Sequence, residues 1–257
     1  MYTIDLSGKS AIVFGVANHR SIAWAIAQQL HQAGARLAIA YQNERLRDAV
    51  EGLAKTLGDV LLLECDVSSD ENVAATFSQA KERMGSLGVV VHSIAFAQRE
   101  DMEGRFVDTG REGFRIALET SAYSLVPIAR YAAPLMVEGG SIITITFQAS
   151  ERVYPGYNVM GVAKAALENE VRLLAAELGP QNIRVNAVSP GPVNTLAARG
   201  IHGFTEMRRV HAERAPLKRN VTQEEVARTA LFLCSDMSSG VTGAVVPVDA
   251  GYHIMGV

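Results

Sequence analysis

Apolar and polar positions along this chain of 257 residues follow two alternating rhythms. Short continuous runs of aliphatic and β-branched residues fall at 11–14, 36–40, 60–64, 89–93, 142–146, 183–188 and 244–248. Such runs mark strands buried on both faces. Between them apolar residues recur three and four apart, the period of an amphipathic helix. The spacing predicts helices over 21–33, 43–57 and 70–84, a long one over about 111–133, one carrying Lys164 as far as about 178, and one over 222–233. Gly34 and Gly58 stop the first two, and Ser69 or Asp70 is placed to cap the third. Strand alternating with helix implies right-handed crossovers. The expected fold is therefore α/β, a doubly wound Rossmann-type parallel sheet of about seven strands with helices on both faces. No repeat or linker interrupts residues 1–257, so one domain is expected.

Composition removes whole classes of function. The chain is 48% hydrophobic with a net charge of −3, ample for a buried core and without the basic field that nucleic acid or a membrane surface would call for. Cys65 and Cys234 form no CxxC pair, which suits a reducing compartment. The six histidines show no HExxH or comparable spacing, so no metal is expected. No signal-peptide core opens the chain and no apolar run reaches transmembrane length, giving the expectation of a soluble, cytoplasmic protein.

Candidate chemistry centres on Tyr157 and Lys164. Seven positions are close to two helical turns, so both side chains can leave one face. The phenol can donate to a developing oxyanion, while a neighbouring ammonium holds a cofactor ribose and favours the ionised phenol. The same spacing also fits an ordinary amphipathic helix. Upstream, residues 15–23 (GVANHRSIA) join the first strand to the first helix, where doubly wound folds seat a dinucleotide pyrophosphate. Of the usual glycine set only Gly15 is present; Ser21 can reach a phosphate or simply cap the helix. Gln42, after the second strand, is neutral and suits an adenosine 2′-hydroxyl, favouring NADH over NADPH. Asp66-Val67 is placed to meet adenine, and Ser93-Ile94-Ala95 to run along a ribose.

Taken together, these segments resemble the FabI-type enoyl-acyl carrier protein reductases, a divergent branch of the short-chain dehydrogenase/reductases. The resemblance runs through GVANHRSIAWAIA, YQNERL, HSIAFA, SAYSL, YNVMGVAKAALE and NIRVNAVSPGPVNTLAA to the tail VTGAVVPVDAGYHIMG. Six residues, not three, separate Tyr157 from Lys164, and His19 and Ser21 replace the later loop glycines; both are marks of that branch. The resemblance implies NADH-dependent reduction of the trans-2 double bond of an enoyl thioester on acyl carrier protein, by a homotetramer. It implies cofactor contacts at Gly15, Ser21, Ile22, Gln42, Asp66, Val67, Ser93, Ile94, Val193 and Thr195, with Lys164 on the nicotinamide ribose. Ala97, Phe147, Met160, Leu196 and Phe204 would line the substrate site, and Tyr157 would act on the thioester carbonyl. Where the family commonly has a second tyrosine, this chain has Phe147, read as packing against substrate or nicotinamide. Tyr154, three residues before Tyr157, is not assumed to replace it.

The stretch 194–219 is an expected insertion at the ligand end of the sheet. Leu196, Ile201, Phe204, Met207 and Val210 recur at three- to five-residue spacing, as in a short amphipathic lid over an acyl chain or a helix packed on the domain. Its six basic residues (Arg199, Arg208, Arg209, Arg214, Lys218, Arg219) face only Glu206 and Glu213, a local +4 that fits either solvated surface or an acidic carrier. Two rivals remain: a short-chain dehydrogenase reducing a ketone or 3-oxoacyl thioester, against which the Tyr–Lys gap argues, and a nucleotide-binding regulator without chemistry.

Overall fold

A computed structural model describes residues 4–256, apart from the side chains of Ala197 and Arg199. Seven strands form one sheet: β1 (Ser10–Phe14), β2 (Arg36–Tyr41), β3 (Val60–Glu64), β4 (Val89–His92), β5 (Gly140–Ile145), β6 (Ile183–Pro190) and β7 (Val245–Val248). Their order is β3-β2-β1-β4-β5-β6-β7, and every neighbouring pair is parallel. All seven predicted strands are present. The direction of winding reverses between β1 and β4, the place where an open α/β sheet leaves a crevice at the carboxyl ends of its strands.

Strand alternation builds a core on each side. Ala11 and Val13 of β1, Leu37 and Ile39 of β2, and Val89 and Val91 of β4 point to one layer, completed by Trp24, Ile26 and Leu30 of α1 (Ile22–Gln32). Ile12, Phe14, Ala38, Ala40 and Val90, the intervening residues, point to the other. The helices alternate with the strands: α2 (Glu44–Ala54), α3 (Asp70–Met84), α4 (Arg99–Met102), α5 (Arg111–Leu118), α6 (Leu125–Ala132), α7 (Asn158–Leu178), α8 (Phe204–Arg214) and α9 (Gln223–Cys234). Val226, Ala230 and Leu233 of α9 join α1 on the first side; Phe77 of α3, Ile128 of α6 and Val171 of α7 fill the second. Ser69 caps α3 by accepting from the Asn72 N–H, and Thr222 with Glu225 forms a reciprocal capping box on α9. No described helix is long and apolar enough to cross a membrane.

The long helix expected over 111–133 is interrupted. Between α5 and α6, residues Glu119–Tyr123 form a π turn, in which Ser124 N–H donates to the Glu119 carbonyl five residues back. Three features favour the extra residue. Ser121 Oγ accepts from Phe96 N–H at 2.8 Å and donates to Phe96 C=O at 2.9 Å. Ser124 Oγ donates to the Thr120 carbonyl at 2.7 Å and meets His92 Nε2 at 2.8 Å. Pro127 has no N–H to offer the Tyr123 carbonyl. Because Ser124's proton is committed to Thr120, His92 must donate from Nε2 and accept from Thr144 Oγ1, 2.8 Å from Nδ1. Burial pulls its pKa down to about 3, so it is neutral.

The predicted lid also differs in form. Its residues make two pieces, a 3₁₀ turn (Ala197–Gly200) and helix α8, joined through Gly203 at positive φ. Arg209 is held at both ends by Glu206 and Glu213, and Arg219 by Glu225. The basic excess of this stretch is therefore partly neutralised.

Candidate active site

At the switch point the turn after β1 meets the turn after β4. Gly15 has φ +95°, and a Cβ there would stand 2.0 Å from the Ser93 carbonyl oxygen. Only glycine lets the two turns close to this distance. Ser21 then holds the turn from the far side: its Oγ accepts from Ala17 N–H and Asn18 N–H, both at 3.1 Å. Of the two roles open to Ser21, the side-chain cap is not formed: Ser21 occupies the N-cap position of α1 and its carbonyl accepts from the Trp24 and Ala25 N–H groups, but its Oγ accepts nothing from that helix. Its hydroxyl proton remains available to a ligand. The first amides of α1, at Ile22 and Ala23, precede any intrahelical acceptor. Serine thus shapes the loop where glycines usually do.

The crevice is a cavity of about 550 Å³, within the range of small-molecule and cofactor sites. It brings together Gly15, Ser21, Ile22, Gln42, Val67, Ser93, Ile94, Lys164, Val193 and Thr195 with Ala97, Phe147, Tyr157, Met160, Leu196 and Phe204. Asp66 is the one candidate outside the lining; Cys65 and Val67 line it on either side, while Asp66 Oδ1 accepts from Ser68 N–H and Oγ–H. Asp66 lies two residues beyond the end of β3, where the chain enters the turn at Ser68. Ile201 and Met207 of the 194–219 stretch also line the cavity, whereas Val210 does not. Leu46, Phe96, Met102 and Thr146 also line the walls, although none of them was singled out as a site residue. Their only signal is position, just beyond a strand or on an adjoining helix.

Tyr157 and Lys164 share this cavity, but not quite as two turns of one helix. Tyr157 is the N-cap residue of α7, followed by Asn158 at φ 27°. Its ring packs against Phe147 with centroids 5.0 Å apart, and Tyr154 flanks Phe147 on another side at 4.8 Å. The Tyr154 hydroxyl donates to Gln148 Oε1 at 2.7 Å and is not part of the lining. Phe147 is thus an apolar wall, 8% exposed, wedged between tyrosines. Lys164 is 3% exposed, and its Nζ donates to the Ile145 carbonyl at 2.8 Å. Burial pulls its pKa down to about 8, with Glu168 opposing the shift. Burial alone pushes the Tyr157 phenol up. The expected lowering of the phenol by the ammonium is therefore absent here, because Lys164 is turned onto the end of β5. Tyr157 is a neutral hydrogen-bond donor, and its hydroxyl has no acceptor among the described residues.

A family model described as enoyl-(acyl carrier protein) reductase matches residues 15–253. The chain belongs to the enoyl-acyl carrier protein reductase family. The Bacillus cereus enoyl-acyl-carrier-protein reductase (NADH) FabI is 53% identical over 253 residues, covering 98% of this chain and 99% of that protein. The Staphylococcus aureus FabI, an NADPH enzyme by name, is 49% identical over 97% of this chain and 98% of its own. Among solved structures, the Bacillus cereus reductase with NADP+ and indole naphthyridinone superposes with a TM-score of 0.96 at 52% identity, covering 98% and 99% of the two chains. The Anaplasma phagocytophilum reductase in complex with NAD gives 0.95 at 45% identity, covering 100% and 98%. The family resemblance and the fold read from the sequence both hold. No cluster of three or more His, Cys, Asp or Glu residues suited to a metal occurs among the described residues.

Proposed function

We propose that this protein is an NADH-dependent enoyl-acyl carrier protein reductase, acting on the trans-2 double bond of a fatty thioester during chain elongation. The reading is supported by the cavity at the switch point, which is lined by a neutral phenol and a buried ammonium as well as by the glycine turn and the first residue of α1. The residues fit a dinucleotide: no side chain blocks the Gly15–Ser93 approach, and Gln42 offers a neutral group where a ribose hydroxyl would lie. Lys164 would hold the nicotinamide ribose, Ser21 and Ile22 the pyrophosphate, Val67 and Ile94 the adenosine half, and Val193 and Thr195 the carboxamide side. Bound NADH supplies a hydride to the β-carbon of the enoyl thioester. Tyr157 then donates its phenolic hydrogen bond to the thioester oxygen as negative charge develops there. Phe147 and Met160 exclude water from that oxygen, and no proton transfer is assigned to Phe147.

NADH oxidation followed by absorbance distinguishes this function from its rivals. Oxidation with crotonyl-CoA or a longer enoyl thioester, and none with acetoacetyl-CoA, is the expected outcome. The reverse pattern makes the protein a carbonyl reductase, and silence with both makes it a nucleotide-binding regulator.

Residues 194–219 are read as the substrate lid of this single domain, with Leu196, Ile201, Phe204 and Met207 turned to the acyl chain. Phe204→Ser is expected to raise KM for a long enoyl thioester about tenfold and leave crotonyl-CoA within twofold, as measured by initial rates. Equal effects on both substrates reject the lid. The acyl carrier protein is the partner that supplies the thioester. A homotetramer belongs to the same reading, with the exposed Ile254 of the tail toward a neighbouring copy; Val257 lies outside the described residues.

A further inference from the structure

Glu168 stands one turn beyond Lys164 on α7, closes the segment YNVMGVAKAALE without having been given a role, and is 4% exposed. A buried carboxylate needs a reason, since removing a charge from water costs several kcal/mol unless partners compensate it. Its Oε1 accepts from Thr146 Oγ1 at 2.7 Å, and Thr146 directly follows Ile145, whose carbonyl accepts from Lys164 Nζ. The end of β5 is thus joined to α7 at two successive residues. One joint fixes the ammonium and the other fixes the carboxylate. Residues four apart share a helix face, so the two charges lie on the same side of α7.

The titratable surroundings of Lys164 single out this carboxylate. His92, at the end of β4, feels Lys164 but is neutral and committed to Thr144 and Ser124. Tyr157, at the head of α7, lines the same cavity and stays protonated. The Ile145 carbonyl on β5 contributes a dipole and no charge. Among the described residues, Glu168 is the group that offsets the burial of the ammonium.

We propose that Glu168 is a positioning residue for the cofactor lysine: anchored by Thr146 on the same face of α7, its carboxylate favours the charged form of the ammonium that the Ile145 carbonyl holds at the cavity wall. The inference rests on Lys164 holding the nicotinamide ribose. A carboxylate stabilises the protonated lysine and so raises its pKa; removing the carboxylate lowers it. If the ammonium holds the ribose, NADH affinity in the parent protein should weaken as pH rises through the titration of Lys164, whose pKa burial lowers to about 8. That midpoint moves to lower pH without Glu168.

Calorimetric NADH titrations from pH 6.5 to 9 test this on Glu168→Gln, which preserves an acceptor for Thr146. The expected result at pH 8 is an affinity about tenfold weaker, with the pH midpoint shifted down and Glu168→Asp restoring part of the loss. In a Lys164→Ala background the same substitution should add nothing, because its effect passes through the lysine. An unchanged midpoint with unchanged affinity, or an equal loss in the Lys164→Ala background, overturns the proposal. Should Glu168→Gln fail to fold, Thr146→Val carries the test: a weaker version of the same shift supports it, and none overturns it. A parent protein that binds no NADH at any pH overturns instead the functional reading on which the inference stands.

Discussion

Tyr157→Phe is expected to lower kcat about 100-fold while NADH affinity stays within twofold. The phenol is half-buried against Phe147, neutral, and without an acceptor among the described residues, so its hydrogen bond is held in reserve for the substrate. Removing a donor aimed at a developing oxyanion costs about 3 kcal/mol, and about 1.4 kcal/mol corresponds to each factor of ten. Since the interaction forms only as charge develops, kcat and kcat/KM should fall together. The ring remains, so the packing against Phe147 survives and the melting temperature should hold. Stopped-flow single turnovers with an enoyl thioester, beside NADH titration, measure both quantities. Full turnover in the variant would remove Tyr157 from the chemistry. A loss of affinity without loss of turnover would reassign it to the cofactor.

Gly15→Ala should be the most damaging single methyl in the crevice. The new Cβ meets the Ser93 carbonyl oxygen at 2.0 Å and its carbon at 2.7 Å, both backbone atoms that cannot rotate away. A backbone at φ +95° is also costly for any residue with a side chain. Together these effects predict about 2–4 kcal/mol of lost stability, or a melting temperature lower by about 5–15 °C. The turn after β1 must separate from β4, which dismantles the phosphate end of the crevice. Excess NADH should protect the parent protein against heat and should no longer protect the variant. Differential scanning fluorimetry with and without NADH reads both effects. A variant that melts like the parent and is still protected would show that the two turns can part at little cost.

The sheet was legible because its central strands are buried on both faces and so read as continuous apolar runs. Residues such as Ile12 and Val13 have nowhere polar to face. The cavity was legible wherever function leaves a residue type out of place, as with Gly15, Tyr157 and Lys164. Phe96, Met102 and Leu46 were not, since an apolar residue facing a crevice looks in sequence like one facing a core. Asp66 lies between two lining residues, and its Oδ1 accepts from Ser68 in the following turn. The π turn was hidden because its causes are remote. Ser121 and Ser124 are ordinary in a helix until Phe96 and His92 are brought to them by the fold. The spacing of Tyr157 and Lys164 places both on one cavity, but the turn of Lys164 toward Ile145 was not legible, because it depends on where β5 ends.

That same π turn limits how this segment can change in length. An extra residue in a helix rotates everything after it by about 100° relative to an unbroken α-helix. Leu125, Ile128 and Ala132 meet the second core layer only because of that rotation. A one-residue deletion within Glu119–Tyr123 would tidy the local hydrogen bonding and yet swing those three side chains off the sheet. The irregularity is in effect a spacer that sets the rotation of the helix after it.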